Sequence, residues 1–327
     1  MRVVASAPAK AILFGEHFVV KGSRAIATAL SLRAQVIVEE VAGDSVVIES
    51  ESLSETWRLS VRELRGESRE EELFASLLRA LVSRGFSIIP HRAVIKSEIP
   101  VAAGLGSSAS VAVAYALAYS RLHGSTLNER ELFEVTLESE KVAHGRPSGI
   151  DNTIAIRGGT IAYRRGEEPS RVNVNIDKLS KYPLIVMDTG VKRSTRVVVE
   201  HALSLAERNW SVLKHVYEAA EALVSEAMRA LEEGNAEKIG ELMNINHGLL
   251  SAIGVSSLEL DSLVNKARLC GAIGAKLTGA GWGGSAIAIA LADHVEAIVD
   301  CVKTSARRVL LASIHSPGAK IEESDNP

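Results

Sequence analysis

Four short segments concentrate the residue types that handle phosphate and protons. The densest is Pro100-Val-Ala-Ala-Gly104-Leu105-Gly106-Ser107-Ser108-Ala109-Ser110, which joins a strand-like run to an apolar, helix-like one. Glycine adopts backbone conformations closed to other residues and lets a ligand come close. A helix that starts among hydroxyls presents unpaired N–H groups and the positive end of its dipole, which suits an anion such as phosphate. An ordinary serine-capped loop would need one or two of these residues, and Gly104, Gly106, Ser107, Ser108 and Ser110 are more than one cap requires. Thr278-Gly279-Ala-Gly281-Trp282-Gly283-Gly284-Ser285 is a second glycine-rich stretch. It reads either as a plain hairpin turn or as bare backbone that packs on the first loop and completes a phosphate pocket.

The third segment, Pro8-Ala-Lys10-Ala-Ile-Leu-Phe14-Gly15-Glu16-His17-Phe-Val-Val-Lys21-Gly22, places a lysine inside an apolar strand pattern. An unpaired ammonium is costly to bury, so Lys10 either reaches the surface or meets a carboxylate inside. Glu16 and His17 follow at the strand end, and without an H-E-x-x-H pattern they do not suggest zinc. The fourth segment, Glu138-Ser-Glu140-Lys-Val-Ala-His144-Gly-Arg-Pro-Ser-Gly149-Ile-Asp151-Asn152, ends an acid-bearing helix in a Gly/Pro loop. Asp151 and Glu140 read as a turn residue and a solvated acid, or as two carboxylates in one cleft with different roles.

Familiar motifs can be tested against the glycine loops. No Gly-Lys-Ser/Thr follows Gly106, so a Walker A loop is excluded. Ser110 stands where a nucleophile elbow needs glycine. Both loops satisfy G-x-G-x-x-G/A as letters, but the first begins after its strand has ended at Pro100 and lacks a preceding βαβ unit, and the second leads into a strand. The dinucleotide reading fails on context for the second loop and stays only as a last alternative for the first.

These segments need elements to hold them. Strand-like runs cover 34–41, 45–50 and 93–99, and a helix with apolar spacing covers 70–83. Helices are expected over 107–122 and about 127–143, the latter closed by Gly145 and Pro147. Beyond Tyr182-Pro183 come a short apolar strand, 184–188, and one or two helices over 195–231. Helices at 235–246 and 258–269 follow, the second opened by the capping-box pattern Ser256-x-x-Glu259. Strands 272–278 and 285–290 flank the second glycine stretch, and 293–311 reads as a closing helix. The length of 327 residues suggests two domains, 1–178 and 179–327, divided in the polar segment 164–181.

Composition narrows the function classes. With 37 Lys+Arg against 40 Asp+Glu the net charge is −3, which argues against a nucleic-acid binder. No apolar stretch approaches the roughly 18–20 residues a membrane span needs, and the first residues are too short an apolar run for a signal peptide. Cys270 and Cys301 lie 31 residues apart without a C-x-x-C pattern, so they are expected to be separate core thiols, and the cytoplasm fits best.

Jointly, the four segments resemble the superfamily of small-molecule kinases that includes galactokinase, homoserine kinase, mevalonate kinase and phosphomevalonate kinase. Its three motif regions occur in order, and the resemblance runs from Pro8 to about Ala290. Pro8-Ala-Lys10-x-Ile-Leu-x-Gly-Glu16-His17-x-Val-Val-x-Gly22 and His144-Gly-x-Pro-Ser-Gly-Ile-Asp151-Asn152 are most similar to the mevalonate kinase branch. A galactokinase-like chain would carry Asp shortly after the Glu-His pair, where this one has Phe18-Val19-Val20. The resemblance implies an α+β fold, with a ribosomal-protein-like N-terminal domain, a ferredoxin-like C-terminal domain and the active site between them. It also implies ATP-dependent phosphorylation of the primary hydroxyl of mevalonate with Mg²⁺, and a homodimer. By motif position, Asp151 and Lys10 would be catalytic, and Gly104, Leu105, Gly106, Ser107 and Ser108 would hold the triphosphate. Ser108 and Glu140 would bind the metal, and Glu16, His17 and Thr195 would line the mevalonate site, Thr195 on the short run Lys192-Arg-Ser-Thr195-Arg196 alone. A same-fold kinase for phosphomevalonate or homoserine, and a catalytically silent sensor, are the alternatives. All four polar residues that a degenerate member would lose (Lys10, Ser108, Glu140, Asp151) are present.

Phosphoryl transfer asks for an aligned hydroxyl and stabilisation of charge on the moving group more than for covalent chemistry. A carboxylate beside an ammonium favours the charged form of both. Such a pair can accept the alcohol proton and stabilise the developing alkoxide.

Overall fold

The computed structural model describes residues 1–325 except Arg146 and the side chain of His144, so those two motif positions lie outside the described residues. Lys10 belongs to β1 (Arg2–Phe14), which pairs antiparallel with the long β2 (Ala25–Glu40). The register between them shifts at Pro8/Lys10, an irregularity of the kind that re-aims side chains beside functional sites. A 3₁₀ turn over Phe18–Lys21 joins the two. Next come β3 (Ser45–Ser50), β4 (Glu55–Ser60) and α1 (Arg69–Val82), the helix opened by a capping box between Ser68 and Glu71. Strand β5 (His91–Ser97) then leads through the first glycine loop into α2 (Ser107–Leu122). Helices α3 (Glu129–His144) and α4 (Ile150–Arg157) follow, then β6 (Thr160–Tyr163), β7 (Ser170–Arg171) and the single turn α5 (Ile176–Leu179). The order β12-β1-β2-β5-β3-β4 forms the first sheet, with β6 on β2 and β7 on β6; β12 (Lys320–Ser324) is the last strand of the chain.

The second sheet begins with β8 (Leu184–Asp188), after which α6 (Thr195–Arg208), α7 (Trp210–Glu233), α8 (Ala236–Ala252) and α9 (Leu258–Leu269) cross back over it. Strands β9 (Gly274–Thr278) and β10 (Ser285–Ile289), helix α10 (Val295–Val302) and β11 (Arg308–Ala312) complete it in the order β11-β8-β10-β9. Numbered within the sheet this is 4-1-3-2, and with helices between the first and second and the third and fourth strands it is the ferredoxin-like arrangement.

Helix α2 is apolar around its whole circumference, with Ala109, Val113, Tyr115, Ala116 and Tyr119 all buried. That is the pattern of a central helix, and it packs on β1, β2, α3 and α4. A second core joins the two sheets: Ala9, Leu13 and Leu30 of the first pack with Leu184 and Ile287 of the second and Val224 of α7. The cleft between the sheets is therefore backed by continuous apolar packing.

Three expectations are corrected. The segment expected to be helical over 293–311 divides into α10 and β11, because residues 308–312 pair with β8 and complete the sheet. Helix α9 is capped by Ser257, whose side chain accepts from Leu260 N, while Ser256 Oγ donates to Asp261. Cys270 and Cys301 are joined as a disulfide between the end of α9 and α10, with Cα atoms 6.4 Å apart, within the span a disulfide can bridge. Packing of α10 on α9 brings them together, which a 31-residue sequence separation does not reveal.

Candidate active site

Lys10 Nζ lies 3.2 Å from Asp151 Oδ1, with the lysine side chain 8% exposed and the aspartate 28%. The ammonium has found its carboxylate, and one side of the pair faces solvent. Asp151 stands in the first turn of α4, whose N-cap is Gly149 at φ 78°, with no side chain capping the helix. Tyr163 Oη donates to Ser148 O at 3.3 Å, tying the preceding loop to β6.

The first glycine loop wraps this pair. Lys10 N donates to Leu105 O at 2.9 Å, and Ser110 Oγ donates to Pro8 O at 2.7 Å. Gly106 is the N-cap of α2 at φ 74°, ψ 27°, again with no side-chain cap. A methyl at Gly106 would sit 3.0 Å from Lys10 Cγ and 3.6 Å from Asp151 Oδ2, so the bare backbone is what lets the loop lie against the ion pair. Two helices thus begin beside the pair at glycine N-caps that offer no side chain, with Ile150 N of α4 donating to Ser148 Oγ at 3.4 Å; helix starts of this kind attract anions. Leu105 is buried beneath the loop, and Gly104, Gly106, Ser107 and Ser108 are half-buried at its surface.

Ser108 Oγ donates to Glu140 Oε1 at 2.6 Å, and Glu140 is 2% exposed. A hydroxyl and a carboxylate side by side are hard oxygen donors, and the set fits a small divalent cation that takes few protein ligands and keeps its remaining positions for water and phosphate.

The second glycine stretch faces the first. A methyl at Gly279 would meet Gly104 O at 3.6 Å, and Ser285 Oγ donates to Ala103 O at 3.1 Å. Between them lies Arg193, whose Nη1 donates to Ala102 O at 2.6 Å. A side chain at Gly104 would collide with its guanidinium, and one at Gly284 would come within 2.6 Å of its Cζ. Burial pushes Arg193 below its ordinary value and Asp188 opposes that, leaving a cation between two bare loops.

Glu16, His17 and Thr195 are placed differently from one another. Glu16 is 1% exposed, and its carboxylate is held by Lys276 Nζ and, at 3.2 Å, by Asn246 Nδ2. His17 sits at φ 60° and is 7% exposed, with Nε2 2.7 Å from Ala280 O. A carbonyl only accepts, so Nε2 carries the hydrogen and Nδ1 is an acceptor; it is buried without a hydrogen-bond partner among the described residues. Burial lowers the imidazole to about 4, partly opposed by Ala280, so the ring is neutral. Thr195 is exposed at the first position of α6, two residues beyond Arg193.

The residues thus placed include three that sequence reasoning missed. Lys276 carries the signal that singled out Lys10, an ammonium in an apolar strand. Arg193 lies in the run quoted for Thr195. Asn246, on α8, has no local signal.

Residues 72–159 match the GHMP kinases N terminal domain, and residues 227–307 match the GHMP kinases C terminal domain. A mevalonate kinase of Aeropyrum pernix is 46% identical over 325 residues, covering 98% of each chain. The chain belongs to the GHMP kinases. The fold of this GHMP kinase superposes on a Methanococcus jannaschii mevalonate kinase with a TM-score of 0.86 at 24% identity, covering 97% of this chain and 99% of that one. An L. major mevalonate kinase solved in complex with R-mevalonate gives 0.82 at 30% identity, with 97% of each chain covered. No helix among the described residues is long and apolar enough to cross a membrane.

Proposed function

We propose that this GHMP kinase transfers the γ-phosphoryl group of ATP to the primary hydroxyl of mevalonate, giving 5-phosphomevalonate and ADP. The observation that carries the chemistry is the Lys10–Asp151 pair at 3.2 Å, one side open, beside two uncapped helix starts. The substrate rests on the likeness to named mevalonate kinases across the whole chain.

Asp151 accepts the hydroxyl proton as the alcohol oxygen bonds to the γ-phosphorus and the bond from that phosphorus to the β-phosphate oxygen breaks; the leaving pair goes to ADP. Lys10, 3.2 Å from Asp151, stabilises negative charge on the alcohol oxygen and the transferring group. The amides at the start of α2 and the loop Gly104-Leu105-Gly106-Ser107-Ser108 receive phosphate oxygens. Ser108 and Glu140 would hold Mg²⁺, which would neutralise charge on the phosphates. His17 offers Nδ1 to a substrate hydroxyl, its acceptor geometry being set by the bond to Ala280 O. Arg193 presents a cation to substrate anionic groups between the two glycine loops, and Thr195, two residues beyond it and exposed at the start of α6, contributes to the mevalonate site.

The test is ADP release, coupled to a spectroscopic readout, with mevalonate, phosphomevalonate and homoserine side by side. Mevalonate should give the highest kcat/KM by a wide margin. Preferred turnover of either other alcohol would overturn the substrate assignment, and nucleotide binding with no turnover of any of them would overturn the enzyme assignment.

A further inference from the structure

The turn Gly15-Glu16-His17 leaves the end of β1 in an unusual backbone shape, with φ 88° at Gly15 and 60° at His17. A histidine in that region is strained, and the surroundings must hold it there. Besides a bond from Glu16's own backbone to its carboxylate, the side chains of Glu16 and His17 and the Gly15 amide are held from the second half of the chain. Gly15 N donates to Asn246 Oδ1 at 3.3 Å. The Glu16 carboxylate takes Lys276 Nζ and Asn246 Nδ2, and His17 Nε2 donates to Ala280 O. Two residues beyond Lys276 along β9, Thr278 Oγ1 donates to Ile12 O at 3.0 Å and accepts from Ile12 N at 3.2 Å. Lys276 is wholly buried, and its ammonium also donates to Leu277 O at 2.6 Å.

Stability alone gives no reason for two charges here, because an apolar pair of similar volume commonly does as well or better in a buried position. What charges add is direction: the ammonium fixes where the carboxylate must lie, and so fixes the residue after it. We propose that Lys276 is a positioning residue for the alcohol side of the cleft, acting through Glu16 and with Asn246 to set the Gly15-Glu16-His17 turn against the second sheet. The consequence is that the acceptor face of His17 is aligned only when the two sheets are in register. This rests on the reading of His17 as a substrate-lining residue.

The experiment is a double-mutant cycle of Lys276→Met and Glu16→Gln, read as KM for mevalonate, KM for ATP, kcat and thermal midpoint. Misplacing a substrate-holding group by about 1 Å costs up to about 100-fold, so each single variant should raise KM for mevalonate by about 10–100-fold while KM for ATP stays within about twofold. Because Lys276 acts through Glu16, the double variant should be no worse than the poorer single. Should Lys276→Met fail to fold with a lone buried carboxylate, the double variant, which carries neither charge, supplies the decisive measurement. A folded double variant with wild-type KM for mevalonate overturns the proposal, as does an equal rise of both KM values or an additive cycle. Wild-type preference for another alcohol in the same assay overturns the substrate reading instead, and the cycle is then scored with that alcohol, so the two ideas fail separately.

Discussion

Replacing Asp151 by Asn should have two separable effects whose sizes follow from burial. The side chain of Lys10 is 8% exposed and that of Asp151 28%. Removing the carboxylate charge strands a nearly buried ammonium, whereas removing the ammonium leaves a carboxylate that water still reaches. Breaking a fully buried pair costs about 3–5 kcal/mol. Discounted for the open side of Asp151, the loss for Asp151→Asn should be about 1–3 kcal/mol, and for Lys10→Met about 0–1 kcal/mol. Turnover should fall in both. For Asp151→Asn the expected loss is roughly 10²–10⁴ in kcat, or about 3–5 kcal/mol of barrier, with nucleotide affinity nearly unchanged because in the proposed mechanism the carboxylate acts on the alcohol. The measurements are coupled ADP release at saturating substrates, nucleotide titration, and urea unfolding of each variant. A near-wild-type kcat for Asp151→Asn would show that positioning alone suffices and that the carboxylate is not the proton acceptor. A larger stability loss in Lys10→Met than in Asp151→Asn would refute the burial argument, whatever happens to turnover.

Other consequences are as specific. Gly106→Ala meets both a left-handed backbone, about 1–2 kcal/mol, and a methyl 3.0 Å from Lys10 Cγ; kcat should drop at least tenfold, and a wild-type rate would show slack in the loop. For Glu140→Gln the Mg²⁺ concentration giving half-maximal activity should rise severalfold, and an unchanged metal titration would remove Glu140 from the metal site. Thr136→Val breaks the 3.0 Å bond from Asn152 Nδ2 that links the helix of Glu140 to the helix of Asp151, both partners being fully buried; stability should fall by about 1–3 kcal/mol, and a Val variant as stable as wild type would show that packing alone holds the helices. Finally, burial depresses His17, His91 and His247 to about 4. Their folded forms therefore stay unprotonated while the unfolded chain binds protons below about 6.5. Stability is full above that value and falls toward pH 4, by about 2 kcal/mol per histidine at pH 5; urea midpoints that do not change between pH 7 and pH 5 would refute it.

Elements carrying their own local signals were legible in the sequence. Helices α2 and α9 and strands β3 and β8 lie where apolar spacing and flanking glycine or serine put them. Elements whose state is imposed by a partner were not. Strand β12 is Lys-Ile-Glu-Glu-Ser, polar and short, and it is a strand because β1 offers it an edge. Residues 308–312 continue the apolar spacing of α10 with no glycine or proline between, so only pairing with β8 distinguishes them. The Asp151 segment read as a loop before an apolar run, yet it opens a helix capped by Gly149 in a left-handed conformation, a cap that leaves no side-chain signature.

The site divides along the same physical line. A lysine in an apolar strand announces a cost, and the cost demands a carboxylate, but sequence does not say which one. Two such lysines, Lys10 and Lys276, and two carboxylates, Glu16 and Asp151, allow two pairings. Topology decides between them. Lys10 lies before the end of β1, where its own amide binds the glycine loop and brings its side chain to the start of α4. Glu16 lies past the end of the same strand, in a turn carried onto the second sheet, where β9 presents Lys276. One pair keeps an open side and can exchange a proton with a bound alcohol. The other is sealed from water, with burial pushing Glu16 up and Lys276 down while each charge opposes the shift of its partner, which suits it to holding geometry. Chemistry and positioning are thus assigned by which ion pair the fold leaves open to the cleft.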